Sequence, residues 1–146
     1  MGTIRAMYVV MNARAAELRA RVKKFAIRIV KFVRALPADD APRLIRRQLL
    51  KSGTGESANY HAACRARSKA EFIAKLGVVV EEADETEHWL HVLNDGELAS
   101  GTALKWLTGE AAELRAIFKA SLDTARTNYR RKREATRRSA RPNLNP

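Results

Sequence analysis

The sequence predicts an all-α protein, an antiparallel up-and-down four-helix bundle with left-handed supercoil. Apolar side chains recur at alternating steps of four and three over four separate stretches, the 3.5-residue repeat of helices sharing a seam. Residues that start and stop helices interrupt the repeat at three places. Only seven Gly and four Pro in 146 residues, against abundant Ala, Leu, Arg and Glu, disfavour a sheet. A chain of this length forms one domain and buries a substantial core.

Residues 1–10 carry neither a cap nor a repeat and read as an N-terminal leader, followed by the bundle at 11–129 and a basic C-terminal tail at 130–146. The first helix, about 12–36, places Met11, Ala15, Leu18, Val22, Phe25, Ile29, Phe32 and Leu36 on one seam. Pro37, Asp39 and Asp40 end it and cap the second, about 41–66, with Pro42 in its first turn. So short a link sets the two helices antiparallel. The second seam runs through Ile45, Leu49, Ser52, Glu56, Asn59, Ala63 and Ala66, small or polar from Ser52 onward, so this helix should approach its neighbours closely.

Ser68, with Glu71 three residues on and then Phe72 and Ile73, is a capping box opening the third helix, about 69–94. Its seam is Phe72, Leu76, Val79, Ala83, Thr86, Leu90 and Leu93, and Asn94, Asp95 and Gly96 stop it. Thr102 reads as the cap of the last helix, about 102–133, whose seam is Leu104, Leu107, Ala111, Leu114, Phe118, Ser121, Ala125 and Asn128. Charge should fray this helix into a tail before Pro142. Trp106, Ile117, Val78 and Val92 point off the seams, where a second subunit could cover them.

The formal charge of +12 sits at the ends. Residues 1–36 hold nine Lys or Arg against Glu17, and residues 126–146 hold eight against Glu134, while the middle is mildly acidic. Such a distribution fits a polyanion partner or subunits that complement one another. Arg21, Lys24, Arg28, Lys31 and Arg34 lie on the far side of the first helix from its seam. The first four of these, with Arg130, Arg131, Lys132, Arg133, Arg137 and Arg138 of the tail, are the candidate nucleic-acid-binding residues. A solvated outer face and contact with an acidic neighbour are the other readings of the first-helix cations. The acidic run Glu81, Glu82, Asp84, Glu85 and Glu87 could supply that neighbour.

No catalytic residue is expected, and neither metal nor cofactor. Glu85 and His88 have the Glu-x-x-His spacing of a bundle metal site, but only once and on the outer face. His61 and His91 are isolated, and the sole cysteine, Cys64, reads as a packing residue. With no membrane-length apolar run or signal-peptide core, the expected location is the cytoplasm. Glu56 stands out as a carboxylate on a seam, for which Gln48, Ser52 and Asn59 would form a structural polar network.

Ala35-Leu36-Pro37, Gln48-Leu49, Ser52-Gly53-Thr54, Ala58-Asn59-Tyr60, Arg67-Ser68, Glu71-Phe72, Glu82-Ala83-Asp84-Glu85 and Trp89-Leu90 together resemble a bacterial four-helix-bundle family. Its members are encoded within intervening sequences of large-subunit ribosomal RNA genes, and the resemblance covers about residues 14–125. It implies a homopentamer with a basic surface that binds structured nucleic acid. A related bundle, the accessory variability determinant of diversity-generating retroelements, works with a reverse transcriptase and its RNA. Gly55 and Glu56 depart from the pattern, where the family has Ser followed by an aliphatic residue. The expected function is therefore a non-catalytic, homo-oligomeric RNA-binding bundle; the alternative is a protein scaffold or an accessory subunit of a reverse transcriptase.

Overall fold

The computed structural model describes residues 2–140, with the side chains of residues 9–140. It contains four helices, α1 (Gly2–Ala35), α2 (Asp40–Cys64), α3 (Lys69–Asp95) and α4 (Thr102–Ser139), and no strand among the described residues. Successive helices pack side by side and α4 returns to α1, as an up-and-down bundle requires, with the α1–α4 contact the sparsest.

The capping box at Ser68 forms with a change of partner. Ser68 Oγ accepts from the Glu71 amide at 3.1 Å, and the Glu71 carboxylate reaches one residue further back, accepting from the Arg67 amide at 2.7 Å. At the α1–α2 turn, Arg46 donates to the Pro37 carbonyl at 3.1 Å. The α3–α4 turn relies on Gly101, at φ 102° and ψ −179°, a conformation open essentially to glycine alone. Gly101 is thus the N-cap, and Thr102, expected to cap α4, is its first helical residue.

The core is a single cluster. Val22, Phe25 and Ile29 of α1 meet Leu49 of α2, Leu76, Val79 and Leu90 of α3, and Leu107, Leu114 and Phe118 of α4. The α3 seam is buried from Leu76 to Leu93, with Phe72 half-buried at its start. Elsewhere the four-and-three spacing slips by one residue. Val33 is buried more deeply than Phe32, Tyr60 is buried where Asn59 was expected, and Leu122 is buried while Ser121 and Asn128 are exposed. A straight helix has 3.6 residues per turn, so a 3.5-residue seam drifts off its face over several turns.

The small residues of α2 allow the close approach that their pattern implied. A Cβ on Gly53 would lie 3.1 Å from the Ile29 side chain, and one on Gly55 would lie 3.1 Å from the Glu82 carboxyl. Gly55 thus provides the surface on which Glu82 rests.

Both ends of the chain depart from expectation. The supposed leader is helical from Gly2, and Met11, placed on the seam, is exposed. The supposed tail continues α4 to Ser139 instead of fraying at about residue 133; residues 141–146 of that tail lie outside the described residues. Arg and Lys are good helix formers and favour the negative end of a helix dipole, so charge alone does not melt this segment. At 34 and 38 residues, α1 and α4 therefore outrun α2 and α3, at 25 and 27. The excess projects beyond the α2–α3 turn, because the opposite ends are tied by the other two turns.

Glycine in a helix costs about 1 kcal/mol relative to alanine. Apart from the adjoining residues and the backbone of its own helix, no atom lies within 4 Å of a Cβ built on Gly109. Gly109→Ala should therefore raise stability by about 0.5–1 kcal/mol in urea unfolding. Gly53→Ala should gain less, because Ile29 must yield to the added methyl.

Candidate nucleic-acid interface

The cations of α1 divide into two sets. Arg21 forks across to α4, donating through Nε and Nη2 to the two Glu110 carboxylate oxygens at 2.7 and 2.9 Å and to Glu113 at 2.5 Å. Those carboxylates raise its already high pKa further, so it remains a fixed positive charge with its donors engaged. Arg28 lies 3.9 Å from the centroid of the Trp106 ring, which also packs 6.5 Å from Phe25. Two of the four α1 residues expected to hold phosphate are therefore used within the subunit. Lys24 and Lys31 are exposed and have no ion pair among the described residues.

The second group is better presented than its reading as a tail allowed. Arg130, Arg131, Lys132, Arg133, Arg137 and Arg138 are all exposed on the helical overhang of α4. At 100° per residue, Arg126, Arg130, Arg133 and Arg137 form one stripe. None of the six makes an ion pair with a described acid. Sequence reasoning missed that α1, the α2–α3 turn and the start of α3 add Arg19, Arg67 and Lys69 at the same end of the bundle. There they line a cavity of about 690 Å³ with Tyr60, Cys64 and Phe72. Isolated cations on different helices give no local signal, and the tertiary fold alone gathers them.

Much of the acidic run on α3 finds partners within its own bundle. Arg115 of α4 donates to Glu87 and lies 3.6 Å from Asp84, Glu85 accepts from Trp89 Nε1 at 3.3 Å, and Glu82 lies over Gly55. Among the described residues no group of His, Cys, Asp and Glu is placed to hold a metal, and no helix is long and apolar enough to cross a membrane.

The predicted polar seam does not form a network. Ser52 and Asn59 donate to backbone carbonyls of their own helix, those of Leu49 and Gly55, and Gln48 makes no side-chain hydrogen bond to Glu56. Glu56 is buried with both carboxyl oxygens unpartnered. Burial, reinforced by the nearby charges of Glu82 and Glu110, pushes its carboxyl up to about 8. Glu82 is also raised, by burial and then by Glu85, and one of its oxygens is buried without a partner.

With this geometry in view, the chain can be compared with known proteins. The family model of the 23S rRNA-intervening sequence protein matches residues 15–120. The chain belongs to this family. A solved structure from Bacteroides thetaiotaomicron, described as a protein of unknown function from the S23 ribosomal protein family, is 28% identical with a TM-score of 0.68. The similarity covers 75% of this chain and 97% of that one. No curated protein matches. In this family member both helical overhangs lie largely outside the matched residues, while Glu56, Glu82 and Arg21 lie within them.

The Glu56 carboxyl yields a pH dependence of known sign. The folded state keeps its proton up to about pH 8, whereas the unfolded state releases it near pH 4.5, the ordinary range of a glutamate. Between those values the unfolded state binds fewer protons, so the Glu56 contribution to stability is full below about pH 4.5 and is lost as pH rises through 8. Glu56→Gln should fold and should remove a fall on the order of a few kcal/mol from urea-unfolding curves over that range. Arg21→Gln should lower stability by about 1 kcal/mol, with no change in the slope of nucleic-acid affinity against salt.

Proposed function

We propose that this protein is a non-catalytic, self-assembling basic bundle that binds structured RNA through phosphate contacts. The observation that carries the proposal is the unneutralised cationic end, where the α4 overhang extends six exposed Arg and Lys residues past the bundle. The family's link to 23S rRNA intervening sequences supports RNA as the polyanion. Of the four α1 candidates only Lys24 and Lys31 remain available to phosphate, so the overhang supplies most of the contacts. Such binding is dominated by charge and shape and is weakly selective for sequence.

Self-association, with the pentamer as the expected ring, is supported by apolar side chains left exposed on all four helices, including Ile27, Leu44, Leu50, Val78 and Trp106. The scaffold reading pairs the basic face of α1 with the acidic face of α3 between subunits. It is weakened by Arg21, Arg28 and much of the α3 acidic run finding partners within one subunit.

Titration of labelled structured RNA should show affinity falling by at least tenfold between about 50 and 200 mM salt. Replacing Arg130, Arg131 and Arg138 together by Gln should flatten that dependence by roughly two to three charges' worth, and Lys24→Gln with Lys31→Gln by less. No binding at low salt, or a flat response, rejects the reading. Light scattering with and without RNA reads the assembly state.

A further inference from the structure

A second cavity, about 390 Å³ in volume, lies where the α4 overhang passes the first turn of α3. Its walls are Lys69 from α3 and Tyr129, Lys132, Arg133, Thr136 and Arg137 from α4. Four of the six lining side chains are cationic, and none of these forms an ion pair with a described acid. The one acid of the overhang, Glu134, lies about 140° around the helix from Tyr129, away from the cavity. Arg133 stands 5.8 Å from the centroid of the Tyr129 ring, near the outer limit of a cation–π contact, so the ring face is only weakly covered. All the α4 residues of this wall lie beyond residue 120, where the family match ends.

A solvated charged face needs neither an aromatic wall nor a cavity. Positive charge from both helices repels metal ions and favours an anion, while the half-buried tyrosine offers a flat apolar surface beside it. A nucleotide that is not base-paired carries both complements, a phosphate and an unstacked base. We infer that this cavity holds one unpaired nucleotide of an RNA, its base stacked on Tyr129 and its flanking phosphates held by Lys69, Lys132 and Arg137. Thr136 already donates its hydroxyl to the Lys132 carbonyl at 3.0 Å, so it offers the ligand an acceptor oxygen. The inference rests on the RNA-binding reading and adds a base to what would otherwise be a purely phosphate interface. It places selectivity for unpaired RNA mainly on the part of α4 beyond the matched residues.

The test compares two fluorescently labelled single strands, an oligoadenylate of ten nucleotides and an abasic strand with the same phosphates. Anisotropy is measured on the full-length protein at about 50 mM salt, where phosphate contacts are strong. The wild type should bind the oligoadenylate about 5- to 30-fold more tightly than the abasic strand, the effect of one stacked base. Tyr129→Ala should erase that ratio while leaving abasic affinity within about twofold, and Tyr129→Phe should retain it. Lys69→Gln should weaken both strands equally. Equal binding of the two strands by the wild type, or a ratio unchanged in Tyr129→Ala, overturns the stacking inference and leaves phosphate binding standing. Failure to bind either strand, or the structured RNA, overturns both.

Discussion

The close approach of α1 and α3 to the backbone of α2 is the constraint on which the rest of the structure depends. Ser52, Gly53 and Gly55 present almost no side chain over one helical turn, so Ile29 packs on Gly53 and Glu82 on Gly55. Larger residues here would push the flanking helices outward and expose Val22, Phe25 and Leu76, whose burial gives the core its cohesion. The same approach explains why Glu56 sits without a hydrogen-bonding partner. Its neighbours at that level are other acids, Glu82 and Glu110, and the backbone around it is already paired within α2.

An interior carboxyl held neutral is a standing cost that an aliphatic side chain would not impose. Gly55 and Glu56 are spatially linked: the missing Cβ at Gly55 makes room for the Glu82 carboxyl, and Glu82 is the first charge acting on Glu56 after burial itself. Arg21, the cation that could have offset them, is instead engaged by Glu110 and Glu113 on the α1–α4 side.

Helix number, order and turns were legible in the chain because Pro37, Ser68 and Gly96 punctuate it and the seams between them repeat without a break. The α3 seam was read correctly residue by residue from Leu76 to Leu93. Depth of burial on α1, α2 and α4 was legible only to within a residue, since Val33, Tyr60 and Leu122 lie one step from the expected positions as the repeat drifts. The candidate site was less legible. Arg21 and Arg28 look free on a helical wheel, and only the packed structure shows Glu110 and Trp106 beside them. Conversely, α4 continues past residue 133, where the density of charge predicts fraying, because Arg, Lys and Ala are good helix formers.

The unequal helix lengths also separate the molecule's centre of charge from its centre of mass. Positive charge concentrates toward the end where α1 and α4 protrude, while several acids lie along the middle of α3 and α4. The protein is thus an electrical lever whose long arm carries most of the unbalanced charge. In the field of any extended anion it experiences a torque before contact, and random collisions become a foot-first approach.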